Sequence, residues 1–169
     1  MRKLICVFVL LLIVFIIEKS ISLNKINYIK ENYYKDKMDI YLITIEKINI
    51  KNIIKEDTIK SEKIKDIVLF KEYGKPNIKN SNTIIGAHSG NGRNSFFTNL
   101  NNIEIDDEIK LYYKEIEYIY KVIDKFYIIE SDFKILNNIK NKTTLTLFTC
   151  NEDNNKYRLI VVSELIDFI

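Results

Sequence analysis

An all-β barrel or sandwich is the fold class that this 169-residue sequence predicts. Three observations carry that expectation. Seven short segments rich in β-branched and aromatic residues succeed one another, the stretches between them are built mainly from Asn, Asp and Lys, and helical periodicity is confined to brief runs. The chain has room for one domain after a short leader, and 47% hydrophobic content suffices for one sizeable core.

The leader comprises residues 1–23. Arg2 and Lys3 precede an unbroken apolar run from Leu4 to Ile17, which as a helix at 1.5 Å per residue would span roughly 21 Å. That is short for a hydrocarbon core of roughly 30 Å. It fits either the apolar part of a cleaved signal peptide or an anchor prolonged to Leu23, with Glu18 and Lys19 snorkelling at the outer interface. Ser20-Ile21-Ser22 is the only small-x-small candidate for cleavage, which favours an uncleaved N-terminal membrane helix. The positive flank would stay inside the cell and the rest would face outward. Both readings export the domain.

Residues 24–39 are polar, with Ile26, Ile29 and Tyr33 at helical spacing, and suit a stalk or first helix. From residue 40 to 169 the pattern is that of strands. The stretch "YLITIEKINI", 41–50, alternates at Ile43, Ile45, Ile48 and Ile50, with a slip at Glu46 and Lys47 that reads as a bulge. Further strands are predicted at 67–70, 83–88, 108–113, 116–128, 144–150 and 157–165, and short helices around 96–100 and 132–138.

Charge excludes one class of partner. The net charge of +3 comes mostly from Arg2, Lys3 and Lys19, and the rest of the chain is nearly balanced, so no nucleic-acid surface is expected.

Scarce residues carry the chemistry. All four glycines and the only proline fall between positions 74 and 92, around the only histidine, His88, which would end a strand where the backbone bends tightly. Cys6 lies in the leader, leaving Cys150 without an intramolecular disulfide partner in an exported domain. A small buried hydrophobe is the ordinary role of such a residue. Lysines number 23 and arginines three, which makes Arg158 less expected as a generic surface cation. Cys150 and Arg158 flank the polar loop "NEDNNK", and an antiparallel pair brings them within side-chain reach. A thiol, an imidazole and a guanidinium are the parts needed for acyl transfer by a cysteine nucleophile. One His and one Cys are too few for zinc.

At these residues the sequence resembles the sortase family. "TLFTC", ending in Cys150, is similar to the family signature Thr-Leu-any-Thr-Cys. "NTIIGAHSG" resembles the strand that delivers the family histidine, "KYRLIVVSEL" brings the arginine at a family-like distance, and "SFFTNL" is similar to a Phe-rich helix. The resemblance covers roughly residues 40 to 165 and implies a closed eight-stranded β-barrel of the sortase type with short helices, preceded by the membrane helix. It implies a membrane-anchored cysteine transpeptidase of a Gram-positive cell surface that cleaves a Leu-Pro-any-Thr-Gly-like sorting signal. The acyl fragment would pass through a Cys150 thioester to an amine of peptidoglycan or of another surface protein such as a pilin. By the same resemblance Cys150 is the nucleophile, His88 the general acid and then base, Arg158 the group that steadies substrate and oxyanion, and Thr149 a substrate-positioning residue. No cofactor is implied.

Asp106-Asp107 stands where many members have Gly-Asp, so that turn is expected to differ. The acidic run Glu104, Asp106, Asp107 and Glu108 reads as a solvated turn, and no metal is expected. The gap of 62 residues between His88 and Cys150 leaves little room for a large insertion, which makes a class A or D type the expectation. Papain-like and NlpC/P60-type peptidases place cysteine before histidine, the reverse of this order. Two other readings stay open: a surface-adhesion barrel with a degenerate trio, and a cysteine peptidase that only hydrolyses.

Overall fold

The computed structural model of the protein describes residues 12–20, 41–58, 65–132, 137–151, 154 and 156–169. The chain divides into two compact units, Met1–Asp39 and Ile40–Ile169. In the first, residues 12–20 form a helix, α1, whose apolar side chains are exposed. Among the described residues no helix is long and apolar enough to cross a membrane. The remainder of the expected membrane helix and the whole expected stalk lie outside the described residues.

The second unit is built from β1 (Tyr41–Ile45), β2 (Ile50–Asp57), β3 (Ile67–Phe70), β4 (Asn82–Gly86), β5 (Glu108–Tyr113), β6 (Ile116–Ile129), β7 (Thr144–Cys150) and β8 (Tyr157–Phe168). They close into a barrel in the order β1-β2-β3-β4-β7-β8-β6-β5. Closure leaves no free sheet edge. The expected eight-stranded barrel is therefore the architecture observed.

Two local expectations need correction. Residues 41–50 are a hairpin rather than one bulged strand: the chain reverses through a 3-10 turn, Glu46–Ile48, and pairs Ile45 with Ile50. Asn49 closes that turn at φ 56°, a left-handed conformation that asparagine tolerates, and its amide donates to the Glu46 carbonyl at 3.1 Å. Because Ile48 is itself buried, the apolar spacing runs on through the reversal and hides it. The Phe-rich segment forms a 3-10 turn at Thr98–Asn102, two residues later than the short helix predicted there. Residues 133–136 of the second predicted helix lie outside the described residues.

Strand alternation sorts side chains between two apolar clusters. Leu145 and Leu147 of β7, Ile85 of β4 and Leu159 and Val161 of β8 belong to the main core inside the barrel. Val68, Phe70 and Ile84, buried together with the half-buried Phe148 and Tyr73, form a second cluster on the outer face of β3, β4 and β7. Also on that face, Thr144 and Thr146 both donate to the Asn82 side-chain carbonyl, at 3.1 and 2.9 Å, which locks β4 to β7. At the β1–β5 seam the Tyr41 and Tyr113 rings stack with centroids 4.3 Å apart. Tyr41 donates to the Glu56 carboxylate at 2.7 Å, and burial followed by that carboxylate holds its phenol well above the ordinary tyrosine range.

Candidate active site

Three strand ends converge on one place. β7 runs antiparallel to β8, and its last residue, Cys150, is the direct partner of Arg158. Directly opposed residues share a face of the sheet, and the pair two residues along, Phe148 and Ile160, lies on the outer face with Phe148 packed on the outer cluster. Cys150 and Arg158 therefore face outward. On the other side β4 runs parallel to β7 with Gly86 level with Phe148.

Sequence reading has His88 ending its strand, whereas β4 stops at Gly86 and His88 follows two residues later. The register nevertheless persists past that end. The Ala87 amide donates to the Phe148 carbonyl at 3.3 Å, the Thr149 hydroxyl donates to the Ala87 carbonyl at 2.8 Å, and the Ser89 hydroxyl donates to the Cys150 carbonyl at 2.8 Å. Ala87 belongs to the inner core and His88 is exposed, so the alternation is kept and His88 stands level with Cys150 on its face. The Phe97 amide closes the turn beyond by donating to the His88 carbonyl at 2.9 Å.

The four expected site residues thus fall on two faces. Cys150 is a half-buried free thiol with Arg158 as its register partner on β8, and His88 follows β4 two residues beyond the Gly86–Phe148 pair. Thr149 points inward, 3% exposed, with its hydroxyl committed to Ala87. It holds the segment carrying His88 against β7. The Arg158 guanidinium is held by Glu130 through Nη2, and by the Tyr157 carbonyl through Nη1 at 3.1 Å. Sequence reading missed Glu130, which follows the end of β6 where that strand meets the start of β8. It missed Ser89 as well. The only signal for Ser89 was its place beside the sole histidine, and for Glu130 there was none.

Gly86 is required by what crosses it. A Cβ there would lie 2.7 Å from Cζ of Phe148 and 3.0 Å from Cε2 of Phe70. Those two rings stack with centroids 5.4 Å apart, the buried Phe70 backing the half-buried Phe148, which lies two residues before Cys150 on the same strand.

In the acidic run, Lys47 bridges Glu104 and Asp107. Burial pushes the Asp107 carboxyl up, but the Glu104 amide and Lys47 outweigh it and leave the group below the usual carboxylate range. Among the described residues no cluster of three or more His, Cys, Asp or Glu could hold a metal ion.

Comparison with known proteins agrees with the barrel fold. The family model described as Sortase domain matches residues 43–166. The chain is similar to a sortase D5 transpeptidase of Clostridium perfringens, with 27% identity and a TM-score of 0.68 over 82% of this chain and 88% of that one. It is similar to Clostridium perfringens sortase C crystallised with the C-terminal cell wall sorting motif, with 27% identity and a TM-score of 0.67 over 75% and 69% of the two chains. Sortase A of Corynebacterium diphtheriae, as a lid mutant, gives a TM-score of 0.69 at 24% identity over 76% and 70%, a likeness of fold alone. No curated protein matches the chain.

Proposed function

This chain belongs to the sortase family, and on that premise we propose that it is a cysteine transpeptidase. It cleaves a Leu-Pro-any-Thr-Gly-like sorting signal after the threonine, holds the acyl fragment as a thioester on Cys150, and passes it to an amine of the cell wall or of another surface protein. The observation that carries this reading is the register of β7 and β8, which makes Arg158 the direct partner of Cys150; continuing the β4–β7 register two residues past its last pair brings the exposed His88 to the other side of the thiol.

The steps follow from that arrangement. The Cys150 thiolate attacks the scissile carbonyl carbon, and the developing oxyanion needs donors. Arg158 supplies them, its guanidinium oriented by Glu130. His88 gives a proton to the leaving amine, and later takes one from the incoming amine as that nitrogen attacks the thioester. The half-buried Phe148 ring, backed by the buried Phe70, supplies apolar surface for the donor peptide two residues from the thiol. That the similar Clostridium perfringens sortase C was crystallised with a cell wall sorting motif supports the same substrate class here. In this reading the apolar leader is an uncleaved anchor and the barrel unit works outside the membrane, on surface proteins that bear the signal.

The test is direct. The full-length protein is incubated with quenched fluorescent sorting-signal peptides with and without triglycine, and intact mass is followed. An acyl adduct on Cys150 that resolves to an amine-linked product supports the assignment. Cleavage that persists in Cys150→Ala, or amine-linked product formed without an adduct, refutes it.

A further inference from the structure

The end of the barrel opposite Cys150 carries a recess that the transpeptidase reading leaves unused. β7 begins at Thr144 and ends at Cys150, so at a rise of about 3.3 Å per residue its ends lie up to roughly 20 Å apart. A pocket of about 440 Å³ opens beside the start of that strand, lined by Pro76, Ile116, Tyr118, Leu165 and Phe168, and Lys79 is the one charged residue in its described lining. That volume falls in the roughly 300–1,000 Å³ range of small-molecule pockets.

The recess is held in shape. Phe168, at the end of β8, is the register partner of Tyr118 on β6, with ring centroids 6.4 Å apart. The loop that carries Pro76 and Lys79 is tied to the start of β7: the Asn80 amide donates to Thr143 Oγ1 at 3.0 Å, and the Thr144 amide donates to the Ser81 carbonyl at 2.9 Å. Its rim nevertheless leaves large apolar side chains in water, with Ile78 48%, Ile166 50% and Phe168 63% exposed. Apolar surface clustered in this way marks a contact site. Two observations favour a lipid surface over a protein as the occupant. The chain from the apolar leader enters the barrel at this end, where Tyr41 opens β1 opposite Tyr113 and the β5–β6 turn leads directly to Ile116 of the recess. Lys79, with no carboxylate among the described lining, suits a phosphate standing above an acyl chain. Nearby exposed charges are mixed, Lys114 and Lys140 with Glu115 and Asp167, so apolar contact rather than net charge has to carry the binding.

We propose that this end of the barrel is a membrane seat for an anionic phospholipid bilayer. Ile78, Ile166 and Phe168 enter the boundary between headgroups and acyl chains, an acyl chain fills the recess, and Lys79 pairs with a lipid phosphate. The proposal rests on the reading of the leader as an anchor. It adds an orientation that a tether alone does not impose, because a seated barrel holds its Cys150 end away from the bilayer by the length of β7.

The chain contains no tryptophan, so a single one introduced by substitution reports its own surroundings. Full-length Phe168→Trp and, at the opposite end of β8, full-length Tyr157→Trp are reconstituted into mixed phosphatidylcholine and phosphatidylglycerol vesicles with plain or brominated acyl chains. Bromine quenches tryptophan only at contact distance. The brominated chains are expected to quench Phe168→Trp at least threefold more than Tyr157→Trp. Adding Lys79→Glu, or leaving out phosphatidylglycerol, should lower that quenching at least twofold. Ile78→Trp, in a loop rather than a strand, repeats the reading should Phe168→Trp disturb β8. Equal quenching at the two ends, or quenching indifferent to both Lys79 and the anionic lipid, overturns the seat alone when the protein stays on the vesicles through an alkaline wash. Loss of the protein in that wash overturns the anchor reading and the seat with it.

Discussion

Gly86→Ala tests the packing of Phe148 on Phe70 with a single methyl group. The added Cβ would meet Phe148 at 2.7 and 2.9 Å and Phe70 at 3.0 Å, against an optimum of about 3.5–4.0 Å between carbons. Both rings must withdraw by about half to one ångström, and neither is the loose end of a flexible chain. Overpacking of this kind costs about 1–3 kcal/mol, and a disturbed ring pair adds up to about 1 kcal/mol. Against that, replacing glycine inside a strand recovers about 0.5–1 kcal/mol. The net expectation is a loss of about 1–2 kcal/mol in urea denaturation, with a several-fold rise in KM for the donor peptide as Phe148 is pushed into its path. Phe148→Leu, smaller at that position, should recover much of the loss when combined with Gly86→Ala, giving a coupling of about 1 kcal/mol in a double-mutant cycle. Wild-type stability and KM in Gly86→Ala would refute the packing argument.

Three further expectations can be checked on the same material. Cys150→Ala should abolish transfer, and Arg158→Lys should leave it reduced at least tenfold, because an ammonium lacks the planar fork that both Glu130 and an oxyanion engage; near wild-type kcat/KM in Arg158→Lys would remove Arg158 from the mechanism. Among the described residues the buried hydroxyls of Tyr120 and Thr83 face each other without a well-formed hydrogen bond, so Tyr120→Phe should cost less than about 1 kcal/mol, and a larger loss in chemical denaturation would contradict that. Asp107, with its carboxyl held below the usual range by the Glu104 amide and Lys47 against burial, contributes stability that is fully present above its unfolded value near pH ~4 and is lost as pH falls through its lower folded value. Asp107→Asn should therefore flatten the acid limb of a Tm-against-pH curve below about pH 4, and an unaltered limb would count against the carboxylate's role.

Legibility in the sequence followed composition as much as structure. β5, β7 and β8 were readable because their residues alternate or run apolar between polar loops, and His88, Cys150 and Arg158 because each type is scarce. Scarcity failed where the working residue is common. Glu130, which holds the Arg158 guanidinium, looks in the sequence like any strand-end carboxylate. The β1–β2 reversal was hidden for a different reason, since a buried Ile48 inside the 3-10 turn preserves the spacing that a continuous strand would have.

The boundary between Thr149 and Cys150 explains why so much of the site was legible from so few residues. In a strand, adjacent side chains serve opposite faces, so "TC" places a scaffold contact and a nucleophile back to back. Thr149 reaches inward and holds the Ala87 carbonyl, which keeps the chain in register two residues beyond the Gly86–Phe148 pair. In the proposed mechanism that register is what brings His88 toward the thiol after β4 has ended. Thr149→Val should therefore separate the two functions of the motif: the side-chain volume is kept, the tie to Ala87 is lost, and kcat should fall more than KM rises. The pH dependence of kcat/KM is the discriminating readout, because a displaced His88 shifts it whereas lost packing alone leaves its shape intact. An unshifted profile with wild-type kcat would show that the β4–β7 ladder stations His88 without the hydroxyl.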